Sequence, residues 1–517
     1  MGLKMDQIPM IRELDGIPTL YVDNEPFLAF AGEVHNSSAS SLTYMEEMVW
    51  DKIEGLHLNT LLVPIYWEQI EPKEGVFRYE LIDGMVKQAR ERDMRLVFLW
   101  FGLWKNGKSM YVPEWMKKDS STYFRVQKIN GEKLNTVSPF CQVAVEKDAA
   151  AFANIMQHIR ALDEGHYTVI TMQVENEIGL LGTERDYCEA AEEKFALQIP
   201  GKIAKEYGLA GTWTEAFGES AGEYFMAYYF AEALEKIASR GRAQYPLPCY
   251  ANCWLKQYPW YPGSYPSGGP VKDVHRIWKI AAPSLFTLAP DIYVPYTADV
   301  MEAYSYQGNP LFIPEIRKDA VTASYCLYAF LKYHAICYSP FGIEDLGLSP
   351  EEVEKPSAEV MADLNINPAI FAAEGGSRYL GKVYSLLQDM KPLYLKYRGT
   401  GSMYCFLKKS ETDIGAYLRF KKYDAVIDYM PEVKAKPLAA GVIFELDENR
   451  FLIAGMMCRI TFRVKPGENL MVSILKMQEG IVEQGEWMPD RTLNGDEQIV
   501  ISFGDLPSCR CVELYKY

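Results

Sequence analysis

Between residues 18 and 346, short apolar runs alternate with stretches of helical spacing. Residues 19–30 read as a small hairpin that leads into a first buried strand near 27–33. Leu42, Met45, Val49 and Ile53 then recur at three- and four-residue intervals, the spacing of one helix face. Further buried strands are expected at 60–65, 95–100, 167–174, 248–251, 285–293, 311–314 and 335–338. Helical patterns separate them, including Leu81, Met85, Val86 and Ala89 and the stretches 149–159 and 223–238. A long excursion, 178–217, follows the fourth strand. Eight buried strands alternating with helices predict an α/β protein built as a closed (β/α)8 barrel. No Gly-rich fingerprint follows the first strand, which argues against a dinucleotide fold.

A helix over 378–395 would close the barrel. After Arg398-Gly399-Thr400-Gly401-Ser402 the pattern changes to short alternating runs at 416–420, 441–446, 451–454 and 470–475. Turn signals such as Pro466-Gly467 and Asn494-Gly495 separate them, as in an all-β sandwich. The expected division is a catalytic barrel over 1–397 and a β-sandwich accessory domain over 398–517. The second part shows no catalytic constellation and reads as a structural or oligomerisation module.

Composition narrows the function. The 53 basic and 69 acidic residues leave a net charge of −16, which disfavours nucleic acid or an anionic membrane as partner. No apolar run reaches the ~20 residues of a membrane span, and the charged N-terminus lacks an apolar leader core. The ten cysteines are mostly dispersed, which in a chain without an export signal implies reduced thiols and a cytoplasmic protein. Many of the 35 Tyr and 10 Trp fall in Pro/Gly-rich stretches outside core strands, where exposed rings suit the apolar faces of sugars.

Active sites of such barrels lie at the C-terminal ends of the strands. The first strand ends in Glu33-Val34-His35-Asn36, and the second runs into Tyr66-Trp67-Glu68. The third leads to Trp104-Lys105-Asn106, the fourth to Glu175-Asn176-Glu177, and the fifth to Asn252 and Trp254. The sixth ends at Tyr293 and the seventh at Glu315-Ile316-Arg317. Strands four and seven each end in a glutamate directly after an apolar run. Arg317 and Lys318 are possible local partners for Glu315. Two carboxyl groups facing each other across one mouth suit glycoside hydrolysis, in which one protonates the leaving oxygen and the other attacks the anomeric carbon or activates water. Strand alternation would point Glu175 and Glu177 the same way and Asn176 the other, so depth must choose between the glutamates. Glu177, nearer the mouth, is the working candidate, and Glu175 is assigned to a buried network with Gln173.

The segment Gln173-Val174-Glu175-Asn176-Glu177-Ile178-Gly179 resembles the QVENEYG signature of glycoside hydrolase family 35, the retaining β-galactosidases of clan A. Gly55 to Thr60 with Trp67 and Glu71 to Phe77 resembles that family's second-strand segment. Gly32-Glu33-Val34-His35 and Pro113-Glu114-Trp115 are similar to two further motifs, and the likeness covers 18–346. The C-terminal part looks like the small β domain of a bacterial branch of the family. The resemblance implies that Asn176 contacts the sugar 2-hydroxyl, Glu177 is the acid/base and Glu315 is the nucleophile. Three sugar-selecting positions depart from the pattern, at Pro64-Ile65-Tyr66-Trp67, at Gly102 to Asn106 and at Arg317.

These readings converge on an exo-acting retaining hydrolase that removes terminal β-linked galactose from oligosaccharides, with no metal or organic cofactor. Other candidate sugar contacts are Glu33, His35, Trp67, Trp104, Asn106, Trp254 and Tyr293. The Pro/Gly-rich loop 254–270 should overhang the pocket on its aglycone side. A β-glucosidase or transglycosylase of the same clan fits the same two glutamates, and a catalytically silent sugar-binding barrel is the reading from another class. Homo-oligomerisation is left open.

Overall fold

The computed structural model describes residues 7–108, 110–349, 351–353, 357–363 and 368–517. Residues 1–6, over which part of the leader expectation runs, lie outside the described residues. Eight parallel strands close into a barrel: Ala29–Glu33, Thr60–Tyr66, Arg95–Lys105, Val169–Asn176, Cys249–Trp254, Leu285–Ile292, Phe312–Ile316 and Cys337–Pro340. The seam between eighth and first strands pairs Cys337 with Ala29 and Tyr338 with Phe30. Almost every strand residue is buried, because side chains on one face fill the interior and those on the other meet the helices.

Helix Gln142–Asp163 and helix Ala221–Arg242 pack side by side on the outside of the barrel, through Phe152, Met156 and Gly241 among others. The excursion after strand four carries three short helices, Glu189–Phe195, Gly201–Tyr207 and Trp213–Phe217. Helix Gly376–Tyr397 closes the barrel. Its buried Tyr384 donates to the carbonyls of Ala31 (2.8 Å) and Tyr338 (2.9 Å), on the two strands that form the seam. A three-stranded antiparallel sheet, Met10–Leu14, Ile17–Val22 and Glu25–Phe27, precedes the barrel, one strand more than a hairpin.

From Met403 the chain is all β. A six-stranded antiparallel sheet runs in the order Met403–Leu407, Ala440–Glu445, Arg450–Met456, Ser508–Lys516, Val472–Glu483 and Glu486–Leu493. A four-stranded sheet orders Gly415–Arg419, Tyr423–Tyr429, Cys458–Val464 and Ile501–Phe503. A core containing Phe406, Ile453, Val512, Ile427, Phe462 and Phe503 joins residues of both sheets. The other face of the six-stranded sheet, with Val442 and Ala454, belongs to the barrel's hydrophobic core, and Ser324 of helix Thr322–Tyr333 donates to the Leu438 carbonyl at 2.9 Å. The ten cysteines are free thiols, with Cys509 and Cys511 buried in a strand. No helix among the described residues is long and apolar enough to cross a membrane.

Candidate active site

Glu177 and Glu315 meet at the mouth. Glu315 sits on strand seven, 6% exposed, and Glu177 directly follows strand four. One carboxylate oxygen from each of Glu177, Asp291 and Glu315 lies within 4.8 Å of the other two. Arg317 is bonded to Asp319 at 2.8 and 2.5 Å, and Lys318 pairs with Asp345 at 3.0 Å. The two cations next to Glu315 in sequence are therefore engaged elsewhere, and the carboxylate is held instead by the Tyr293 hydroxyl, which donates to Oε2 at 2.9 Å.

Asn252, at the end of strand five, organises this cluster. Its Oδ1 accepts the Glu177 backbone N–H at 2.8 Å. Its Nδ2 faces Asp291 Oδ2 at 2.8 Å, Asn176 Oδ1 at 3.2 Å and Glu315 Oε1 at 3.5 Å. The Asn176 oxygen also accepts from Gln173 Nε2 at 2.9 Å, which leaves its buried Nδ2 without a partner. Glu177 has φ 45°, a left-handed conformation that non-glycine residues seldom adopt, and the bond to Asn252 fixes its amide there.

Glu175 does not share a face with Glu177, contrary to the expected alternation. Its φ is 62°, so the chain twists out of strand geometry at this residue. The carboxyl group turns to the outside of the barrel, where it accepts from the amides of Leu103 (3.2 Å) and Trp104 (2.7 Å). Asp148, on the outer helix Gln142–Asp163, accepts from Trp100 Nε1 at 2.7 Å in the same cluster. Burial, then the Asp148 charge, raises Glu175, and burial also raises Asp148. Gln173 reaches only the Glu175 backbone carbonyl, at 3.0 Å, so the expected side-chain network with Gln173 is replaced by one with Asp148.

The mouth is acidic, with Asp291 and Glu315 buried and Glu177 half-buried. Burial first, and the Glu315 charge second, push Glu177 up to about 8. Burial also raises Glu315, against the opposing effects of Lys105 and Tyr293. Glu33 is raised by burial and then by Glu315, and both of its oxygens are buried without a partner. Lys105, 4% exposed at the end of strand three with its ammonium 4.7 Å from the Phe101 ring centroid, is the cation that faces Glu33, Glu177 and Glu315. Glu177, Asp291 and Glu315 are the group among the described residues whose oxygens converge closely enough for a metal ion. Lys105 supplies positive charge to the same place.

The other sequence candidates divide. Tyr293 joins the cluster, and Glu33 faces it. Trp67 and Trp104 do not offer a ring to the mouth. Trp67 is fully buried, bonded to Glu71 at 2.7 Å and packed on Trp100 and Trp115; Trp104 is bonded to the Val137 carbonyl at 2.9 Å and packed edge-on against Phe230. In sequence both look like strand-end rings, but Trp100 and Trp115 cover the one and Phe230 the other. Trp254 is 9% exposed and donates to Gln257 at 3.2 Å. Asn106 gives its backbone N–H to the Asn176 carbonyl at 3.1 Å. His35 is bonded to Asp345 at 3.0 Å; burial opposes its charge, yet Asp345 raises it above the ordinary histidine value. The residue that sequence reasoning missed is Asp291. It lies inside the run 285–293, which in sequence reads as one strand to Tyr293, so its acidic side chain does not stand out as a strand end.

Two family models match the chain. One describes a β-galactosidase. This is the glycoside hydrolase family 42 model, over residues 45–224, a segment that contains Glu177 and ends before Glu315. The match supports a glycosidase and points to clan A, with family 42 rather than family 35 as the family found. The Asn-Glu pair after strand four is a clan feature in the sequence resemblance, so it does not separate the two families. The other model, over residues 380–503, is a domain of unknown function (DUF5597). No curated protein matches. Among solved structures, a β-galactosidase from Bacillus circulans sp. alkalophilus aligns over 94% of this chain and 99% of its own, at 10% identity and TM-score 0.49. The catalytic domain of a β-amylase from Paenibacillus polymyxa aligns over 67% and 99%, at 11% identity and TM-score 0.47. A β-galactosidase from Rahnella sp. R3 aligns over 60% of this chain and 50% of its own, at 14% identity and TM-score 0.43. Likeness at that level fixes neither a substrate nor the role of a residue.

Proposed function

We propose that this protein is a retaining, exo-acting glycosidase that removes terminal β-linked galactose from oligosaccharides. Glu315 is the nucleophile and Glu177 the acid/base. The observation that carries the reading is the approach of their carboxylate oxygens to within 4.8 Å. One oxygen from each lying within 4.8 Å is compatible with direct attack, for which retaining enzymes hold their carboxyl groups about 5–5.5 Å apart; inverting enzymes leave room for a water at roughly 6.5–9.5 Å.

In the first step a Glu315 oxygen attacks the anomeric carbon while the glycosidic C–O bond breaks. The proton of Glu177 passes to the departing oxygen. Glu177 is suited to hold that proton because burial and the Glu315 charge both favour its neutral form. Once Glu315 is esterified its charge is gone, so Glu177 becomes the stronger acid and, now ionised, can take a proton from water. The resulting hydroxide adds to the anomeric carbon and Glu315 leaves as a carboxylate. Tyr293 and Lys105 stabilise the Glu315 anion at the start and end of the cycle. Asn176, with its unpartnered Nδ2, and Glu33, with two unpartnered oxygens, are left for sugar hydroxyls.

Exo action is argued from the close packing of the segments that follow strands four and five. The segment after Glu177 and the loop after strand five pair through Leu180 and Ser267 (3.0 and 2.9 Å), and Gly182 donates to the Gly263 carbonyl at 2.8 Å. A Cβ on Gly179 would come within 2.5 Å of Pro266, which shows how closely the two segments pack. A panel of nitrophenyl glycosides, assayed with and without acceptor sugars, tests the reading. The β-galactoside should be the best substrate, with water as the main acceptor; Glu315→Gln should abolish most of the turnover, and Glu177→Gln should lower it by a smaller factor on these activated leaving groups. Preference for the β-glucoside, or for acceptor sugars over water, would redirect the assignment within the clan. Wild-type rates in both variants would remove it.

A further inference from the structure

Asp291 has no part in the mechanism above, yet it stands at the centre of the mouth. It pairs in register with Glu315 across strands six and seven, and its side chain lies within 4.8 Å of both working glutamates. Its residue is 3% exposed. One oxygen is satisfied, because Asn252 donates to Oδ2 at 2.8 Å. The other, Oδ1, is buried without a nitrogen or hydroxyl donor from the protein, and the Glu177 carboxyl is the group in hydrogen-bond contact with the Asp291 side chain. A buried carboxyl oxygen needs a hydrogen bond whether the group is ionised or protonated, since each form leaves polar atoms stripped of water.

We infer that Asp291 is a third carboxylate of the substrate pocket, which binds a hydroxyl of the glycone through Oδ1 while Asn252 fixes Oδ2. The inference rests on the proposed glycosidase reading and deepens it by naming a glycone contact on strand six. The unpartnered atoms around the mouth describe the ligand. Glu33 Oε1 and Oε2 and Asp291 Oδ1 are carboxyl oxygens, and Asn176 Nδ2 is a donor. All belong to buried side chains at the ends of strands one, six and four. A neutral polyol matches this set, because each hydroxyl can donate to a carboxylate and accept from an amide. An anionic ligand would add charge to a buried acidic cluster that already resists ionisation.

A purely structural role is the competing account, because Asp291 also holds Asn252, which in turn holds the Glu177 amide. The two accounts separate in a double-mutant cycle between residue and substrate. Wild type, Asp291→Ala and the near-isosteric Asp291→Asn are assayed on nitrophenyl β-galactoside and on analogues lacking one hydroxyl at a time. Thermal melting of each variant checks that it folds. The expected result is a fall in kcat/KM of about tenfold to a hundredfold for Asp291→Ala on the parent glycoside, the size of a lost hydrogen bond to a charged group. For one deoxy analogue, and one only, that fall should nearly vanish, because the contact is already absent. Asp291→Asn should retain part of the coupling. A loss of equal size on every analogue would make Asp291 a positioning residue acting through Asn252 and overturn the inference, as would no loss at all.

Turnover by the wild type reports the glycosidase reading separately. Should the wild type hydrolyse no glycoside, the same cycle is read in binding, by calorimetry with galactose and its deoxy derivatives. Coupling confined to one hydroxyl supports the contact, and uniform weakening or absent binding overturns it.

Discussion

Glu177 is raised because it loses water on burial and because it faces the Glu315 charge, and this sets the pH behaviour of the proposed reaction. The acid must be protonated to act, so kcat/KM should fall as pH rises through about 8. In Glu177→Gln this basic limb should disappear, with kcat down by about a hundredfold to ten-thousandfold on substrates with poor leaving groups and much less on activated aryl glycosides. A pH–rate profile on both substrate types checks this; an unchanged basic limb in the variant would assign it to another group. The meeting of Glu177 and Glu315 at the mouth was legible in the sequence because each closes an apolar run at the C-terminal end of a barrel strand. Asp291 was not legible, since an acid one residue inside a strand looks like any other strand residue until its cross-strand neighbour is known. The outward turn of Glu175 was hidden for a related reason. It depends on a left-handed backbone at a glutamate, which no periodicity signals.

At the scale of elements, strand three shows what local pattern leaves out. The apolar run predicts a strand over 95–100, but it continues to Lys105. The register against strand four is irregular between Trp100 and Lys105, and Glu175 supplies acceptors to the amides of Leu103 and Trp104 across that irregularity. The extension thus depends on a carboxyl group some seventy residues away in the chain. Gly102 makes the approach possible. A Cβ there would sit 2.5 Å from Glu175 Oε1, 2.7 Å from Trp100 Nε1 and 2.8 Å from Asp148 Oδ2, all on buried side chains with nowhere to move. Gly102→Ala should therefore cost about 1–3 kcal/mol, as overpacking of a tight core does. Denaturant unfolding measures it, and a loss below about 0.5 kcal/mol would show that the cluster can relax. Lys105, at the end of the same strand, should shift with it, so activity should fall further than stability alone explains.

For the whole molecule, barrel closure brings together carboxyl groups that the fold must keep out of water. Glu33, Glu177, Asp291 and Glu315 are all raised, each by burial first. A carboxyl raised in the folded state holds a proton that the unfolded chain releases above its ordinary value near 4.5. The fold is therefore penalised progressively as pH rises from about 4.5, for Glu177 until about 8. Glu33→Gln, which removes a buried carboxyl whose ionisation the fold resists and whose oxygens have no partner, should raise Tm by about 2 °C or more near pH 8 and by little near pH 4. Scanning fluorimetry at the two pH values checks the difference, and an equal shift at both would point to a cause other than charge. The barrel itself was legible as eight buried runs, and the change to alternating strands after 398 as a second, all-β part. What the pattern could not supply was how the parts join. The face of the six-stranded sheet that shares the barrel's core looks, in sequence, like any strand face. The account as a whole depends on Glu315 being the nucleophile that closure carries opposite Glu177. A deoxyfluoro β-galactoside with an activated leaving group, followed by peptide mass spectrometry, tests that most directly. The account predicts time-dependent inactivation with one sugar covalently attached to Glu315; attachment to Asp291 or Glu177, or turnover with inversion and no trapped intermediate, would contradict it.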